Sequence, residues 1–268
     1  MIDLGKKSLL GVKVDVTDYA SAVARIVAAA KAEQPFSVTA LPVHGIMTGA
    51  LDDAHRFRLN SFDLLVPDGQ PVRWALNLIY HVGLRERVYG PNLMLAICDT
   101  AAREGLPIYL FGSRTETIAL LSDNLRKRFP QIQIAGSQPG RFAVLTATER
   151  QEIVRTIRDS GAKIVFAGLG CPRQEIWAYE NRAAVGIPIV CVGAAFDFHA
   201  GTVAQAPAAL QNAGLEWAYR LTREPRRLWR RYLLLNPLYV AMVAGQASRL
   251  RDYDRFPARP PQRELNLG

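Results

Sequence analysis

The chain has 268 residues, 49% of them hydrophobic and 21% charged, and a formal net charge of +9. Residues 214–268 hold eleven arginines against five acids, a net +6 that leaves only +3 for the first 213 residues. A basic end on a near-neutral body argues for a local anionic partner and against a protein coated for nucleic acid. The three cysteines, Cys98, Cys171 and Cys191, lack CxxC spacing and lie in apolar surroundings. They read as reduced core residues of a cytoplasmic protein, not a disulfide frame or zinc site.

The N-terminus, Met1–Lys7, lacks the long apolar region of a signal peptide. Beyond it, short apolar runs alternate with stretches of helical spacing. The runs read as strands at 36–41, 62–66, 108–111, 132–134, 163–167 and 187–192. Helical spacing covers 18–33, 45–60, 70–80, 92–104, 116–129, 147–160 and 173–185. Starts are marked at Asp18 and Thr146, and stops at Gly105-Leu106-Pro107, Pro130, Gly161 and Gly186-Ile187-Pro188. Strands this continuous in apolar residues are covered on both faces. The alternation therefore predicts an α/β, Rossmann-like, mostly parallel sheet with helices on both faces. Three divisions follow: a catalytic domain over 1–213, an amphipathic basic C-terminal appendage over 214–250, and a disordered Pro/Arg tail over 251–268. No apolar run reaches the roughly 18 residues of a transmembrane helix.

Ligands of such sheets bind beyond the carboxyl ends of the strands. Four predicted strand ends carry glycines and polar groups: Pro67-Asp68-Gly69-Gln70-Pro71, Gly112-Ser113-Arg114, Gly168-Leu169-Gly170-Cys171-Pro172-Arg173-Gln174-Glu175, and Gly193 to Gly201. Asp68, in a stiff turn at the mouth of a cleft, suits a general base; a turn aspartate or helix cap fits the same spacing. The 168–175 block is neither a Walker A sequence nor a full GxGxxG, but its glycines permit close approach and Pro172 leaves backbone N–H groups facing the rim. His44, His55, His81 and His199 lack partners at ligand spacing, and no metal site is expected. Asp252-Tyr253-Asp254 imitates the Asp-x-Asp of metal-dependent sugar transferases but lies in the polar tail.

The run Gly214 to Arg231 holds six arginines against two glutamates, interleaved with Trp217, Tyr219 and Trp229, and an uncharged apolar stretch follows from Tyr232 to Gln246. Arginine donates a planar fork to phosphate and keeps its charge; aromatics beside an apolar face suit a headgroup layer. A solvated helix face explains the charges, and packing on the protein's own sheet or an oligomer contact explains the apolar stretch; a phosphorylated ligand with a lipid attached explains both together. One or two amphipathic helices are expected here, with Pro225 at the start of the second and Arg227 and Arg230 on one face.

With these blocks assembled, the chain resembles the WecG/TagA/CpsF glycosyltransferases of bacterial surface-polysaccharide assembly. The match runs in order through Val38-Thr39, Pro67–Val72, Arg87-Val88-Tyr89-Gly90, Ile108–Gly112, Gly168–Trp177, Gly193–Gly201, Gln205-Ala206-Pro207 and Gly214-Leu215-Glu216-Trp217 to Arg231-Tyr232. The resemblance implies an inverting transferase moving a sugar of the ManNAc, ManNAcA, GlcA or Glc type from a UDP-sugar to an undecaprenyl-diphosphate-linked glycan acceptor. It implies no cofactor and no essential metal, work at the inner face of the cytoplasmic membrane, and no nucleic-acid partner; it leaves a homo-oligomer open. By the same resemblance Asp68 is the general base. Thr39, Gly69, Arg87, Gly90, Asn92, Gly112, Gly170, Gln174 and Glu175 bind substrate, and Arg220, Arg227 and Arg230 hold diphosphate. The family often has asparagine where this chain has Leu41, and aspartate where it has Asn92. A reading from another class is a non-catalytic nucleotide-sugar or polyprenyl-phosphate binding protein, which needs the rim and the basic appendage but no base.

Overall fold

The computed structural model describes residues 1–255 and 257–268, apart from the side chains of Arg227 and Arg231. It opens with a hairpin, β1 (Asp3–Leu9) and β2 (Val12–Thr17), followed by α1 (Tyr19–Lys31) and β3 (Phe36–Leu41). Then come α2 (Val43–Leu51), α3 (Asp53–Asn60), β4 (Leu64–Pro67), α4 (Gln70–Tyr80), α5 (Gly90–Glu104) and β5 (Ile108–Gly112). The second half runs α6 (Thr115–Arg128), β6 (Ile134–Gln138), α7 (Ala147–Asp159), β7 (Ile164–Gly168), α8 (Arg173–Val185), β8 (Pro188–Cys191) and α9 (Ala195–Ala200). Four helices finish the chain: α10 (Ala208–Asn212), α11 (Glu216–Arg223), α12 (Pro225–Leu233) and α13 (Leu235–Ala247).

Strands β3 to β8 form one six-stranded, all-parallel sheet in the order β4-β3-β8-β7-β5-β6. Its strands are apolar throughout because each face is covered. Val38, Leu64, Leu110, Phe166 and Val190 point to a layer built with α1, α5, α6 and α9. Leu65, Phe111, Val165, Ile189 and Cys191 point to a layer closed by the hairpin, α4, α7 and α8. This is the doubly covered, Rossmann-like arrangement expected from the sequence.

Several expectations change. The hairpin was not anticipated, although Val12, Val14 and Val16 alternate with Lys13 and Asp15. Its turn places Leu10 and Gly11 at φ +54° and +82°, the twist that suits a two-residue hairpin loop. Buried Asp15 reaches the edge of the sheet, where its carboxylate accepts the Leu65 N–H at 2.8 Å and pairs with Arg25 at 3.1 Å. The single helix expected over 45–60 is two, because Asp52 leaves helical geometry and caps α3 by accepting the His55 N–H. The strand expected at 132–134 lies further on, as β6 from Ile134, and Ile132 instead packs in the core before it.

The appendage has three helices after Gly214, and the last is bound to the body. Tyr239 and Val243 of α13 are buried in the main core, the Tyr239 hydroxyl donates to Pro71 O at 3.1 Å, and Gln246 bridges Leu10 N and Ser8 O. The tail, expected to be disordered, is pinned: Glu180 accepts the N–H groups of Leu265 and Asn266, Arg150 pairs with Glu264, and Leu267 bridges Val144. Its partners lie more than eighty residues away, so local Pro/Arg composition carries no sign of them.

Candidate active site

The carboxyl ends of β3, β4, β5, β7 and β8 converge on one cavity of about 750 Å³. The four rim segments predicted from the sequence all line it, joined by Pro42 and His44 after β3 and by Trp217, Arg220 and Tyr232 of the appendage. A second groove, of about 600 Å³, lies between α7 and α8 and lacks the strand-end glycines.

Asp68 follows the last residue of β4. Its N–H donates to Leu41 O at 3.1 Å, which ties the turn to the neighbouring strand, and Gly69 takes φ +93° to start α4. The Gly90 N–H, at the start of α5, donates to the carboxylate. A Cβ on Gly90 would stand 3.1 Å from that of Ala40 and 3.5 Å from Asp68 Oδ2, so glycine is what admits the close approach. Asp68 keeps an edge open to the cavity and is otherwise enclosed. Burial pushes its pKa up to about 7; Arg87 and Arg220 oppose the rise and Glu216 adds to it.

Arg87 sits over the Tyr89 ring, 4.1 Å from its centroid, and is itself held from the appendage. It donates to Glu216 Oε2 at 2.9 Å and to Gln211 Oε1 at 3.1 Å, while the Tyr89 hydroxyl donates to Glu216 Oε1 at 3.0 Å. Arg220, one turn further along α11, faces the cavity beside Phe198, and its buried Nε has no hydrogen-bond partner. A guanidinium in the wall of a polar cavity suits an anion held there.

The back wall is a hydrogen-bonded unit. Gln174 Oε1 accepts the Gly170 N–H at 3.2 Å, and its Nε2 donates to Glu175 Oε1 at 2.8 Å, which also accepts from the Thr39 hydroxyl at 2.9 Å. Thr39 and Glu175 are fully buried, and burial raises the Glu175 pKa. On the other side, Gly112 packs against the Gly168 backbone, where a Cβ would come within 2.8 Å of the carbonyl carbon. Ser113 N–H donates to Gly168 O, and its hydroxyl lies 3.4 Å from Asp197.

Of the expected site residues, Asp68, Gly69, Arg87, Gly170, Gln174 and Arg220 line the cavity. Thr39, Gly90, Gly112 and Glu175 shape it from behind. Asn92 does not belong to it: the side chain is exposed and hydrogen-bonds the Tyr19 hydroxyl. Leu41, on the same face of β3 as Thr39, is buried in the core, so neither departure from the family pattern touches the cavity. Arg230 lies on the exposed side of α12 over Trp229, outside the cavity lining, and the Arg227 side chain is outside the described residues. His199 is structural, its Nε2 2.9 Å from Pro91 O. Sequence reading missed Glu216 as a site residue; an acid between Leu215 and Trp217, one of two in a strongly basic run, was the available signal.

An all-parallel doubly covered sheet with a polar cavity over its strand ends, lined by an enclosed carboxylate and by Arg87 and Arg220, is an α/β fold with a site suited to an anionic ligand. A sequence model of the Glycosyl transferase WecG/TagA/CpsF family matches residues 7–253, and the chain belongs to that family. It is thus a glycosyltransferase of polysaccharide synthesis, whose substrates are a nucleotide sugar and a glycan acceptor. Among the described residues no helix is long and apolar enough to cross a membrane.

Proposed function

We propose that this protein is an inverting hexosyltransferase that uses a UDP-sugar and a polyprenyl-diphosphate-linked acceptor at the inner face of the cytoplasmic membrane. The observation that carries the reading is Asp68, a carboxyl with a pKa of about 7, in one cavity with Arg220 and its unpartnered Nε. A base is most effective when its pKa is close to the working pH. In a single displacement the acceptor hydroxyl gives its proton to Asp68 as its oxygen bonds to the anomeric carbon. The bond from that carbon to the UDP oxygen breaks on the opposite face, and its electron pair leaves with the diphosphate. Arg220 offsets the charge that grows there, the role for which a preplaced donor in a partly dry site is suited.

Support for the lipid-linked acceptor comes from the appendage. Trp229, Leu233, Leu234, Leu238 and Val240 are 41–65% exposed, beside exposed Arg223, Arg226 and Arg230. Apolar groups ringed by arginine suit an anionic headgroup layer. In this reading Arg230 serves the membrane surface and Arg220 the diphosphate in the cavity.

The deciding test is Asp68→Asn, assayed by acceptor-dependent release of UDP across a panel of UDP-sugars. Wild type should release UDP only with both substrates present. The variant should bind the donor and lose most turnover. Turnover equal to wild type would remove Asp68 from the mechanism.

A further inference from the structure

A cluster behind the cavity has no part in the reaction above. His55 from α3, Cys171 from the loop after β7 and Glu175 from α8 each offer a donor atom, and the three atoms lie within 4.8 Å of one another. No local spacing links them: 116 residues separate His55 from Cys171, so only the fold assembles the set.

Two observations single out the cluster. His55 is 2% exposed and neither ring nitrogen has a hydrogen-bond partner; Glu175 is fully buried and its Oε2 has none either. Buried polar atoms are almost always paired, and an unpartnered imidazole and an unpartnered carboxylate oxygen in a cluster that also holds a thiol are unusual. Meanwhile Oε1 of the same carboxylate is fixed by Thr39 and Gln174, and the Cys171 thiol lies in hydrogen-bonding reach of that carboxylate. A carboxylate with one oxygen anchored and the other vacant is how metal-ligating carboxylates are commonly oriented by their neighbours.

We propose that His55, Cys171 and Glu175 bind a divalent, thiol-preferring cation, Zn²⁺ being the ion that fits. The donor set is one nitrogen, one sulfur and one oxygen, which suits zinc and not magnesium or calcium. Donors around tetrahedral zinc stand roughly 3.3–3.8 Å apart given the usual bond lengths, so closing the triangle requires a shift of about 1 Å. The two anionic ligands, thiolate and carboxylate, balance the dication, so the site would be buried without net charge. Cys171 also lines the cavity, which leaves a fourth position to be met from that side by water. The ion would be structural: it would tie α3, the loop after β7 and α8 into one wall while taking no part in proton transfer at Asp68.

The test needs no substrate. Full-length protein expressed with added zinc and passed through gel filtration should carry about one zinc per chain, as a three-residue site with water requires. Protein stripped by chelator and given Co²⁺ should show a thiolate-to-cobalt absorption band. Cys171→Ser should abolish that band, His55→Ala should abolish stoichiometric zinc, and Cys98→Ser, on the opposite side of the sheet, should change neither. Removal of zinc should lower the melting temperature of wild type and leave that of Cys171→Ser unmoved, a contrast that holds even if His55→Ala folds poorly. Folded wild type with no stoichiometric zinc and no cobalt band would overturn the proposal. So would a band that survives Cys171→Ser.

Discussion

The two halves of the cavity are built on different principles. The rim side is backbone: Asp68, Ser113 and Gly170 leave strands buried on both faces, and their positions follow from the sheet's hydrogen-bond register. The appendage side is held by side chains, with Glu216 gripping Arg87 and Tyr89 near one end and Tyr239 anchored on Pro71 at the other. Between these anchors α12 buries Leu228 and Tyr232 but exposes Trp229. The half set by the sheet thus carries Asp68, the base of the proposed reaction, and the half fixed at two points carries Arg220, its proposed anion donor. Chemistry that tolerates little displacement sits on the scaffold, and recognition sits where the surroundings can act on it.

The sharpest way to separate the two halves is Asp68→Asn. Loss of the base should cost about 10²–10⁴-fold in turnover. The same change should stabilise the fold, and the sign follows from the raised pKa. Asp68 takes up its proton near pH 7 when folded and near 3.8 when unfolded, so the folded state binds more protons between those values and stability from this residue falls as pH rises through the window. The variant's melting temperature should therefore exceed wild type at pH 8, by an amount on the order of a few kcal/mol in stability, and match it near pH 4. A variant that is inactive and less stable at pH 8 would mean that Asp68 is structural.

Arg220→Ala, on the appendage side, should reduce turnover by about 10²–10³-fold, with a modest fall in melting temperature from loss of the contact with Phe198. A smaller effect is expected where the halves meet. The charge of Glu216 raises the Asp68 pKa, so Glu216→Gln should move the acid limb of the kcat/KM profile to lower pH. An unmoved limb would show that the contact is mechanical only. The smallest change in the fold should come from Trp229→Ser with Leu234→Ser, within about 0.5 kcal/mol of wild type as for other exposed positions. Flotation with anionic vesicles should nevertheless fall several-fold while UDP-sugar binding persists. Point changes serve better than truncation after Gly214, which would strip Tyr239 and Val243 from the core.

Legibility divides along the same line. Strands β3, β4, β5, β7 and β8 were readable because burial on both faces leaves continuous apolar runs, and the rim followed because ligands gather at strand ends. The turn placed Asp68 at the rim but left base and helix cap open, and its expected role as base came from the family resemblance. Glu216 was not readable, since the meaning of a glutamate in a basic run depends on Arg87, 129 residues earlier. The hairpin escaped although its second strand alternates regularly over residues 12–16; what the pattern could not show is that Asp15, at a polar position, is buried by a carboxylate contact with a strand edge. Thr39 and Glu175 were placed in the site, yet periodicity cannot tell a side chain in a pocket from one supporting its wall.

The strand order has a consequence for biosynthesis. β8, the last strand of the sheet to leave the ribosome, is its third, seated between β3 and β7. Until it is made, β3 with β4 and β5 with β6 and β7 are two separate ribbons, and Asp68 belongs to one while Ser113 and Gly170 belong to the other. Residues 36–168 must therefore wait with two unpaired strand edges for the segment that joins them. Exposed edges of this kind are sites of wrong pairing, and closure through so distant a strand is slow. Nascent chains arrested before Pro188 should depend on chaperones, and expression yield should respond to the speed of translation over residues 169–191.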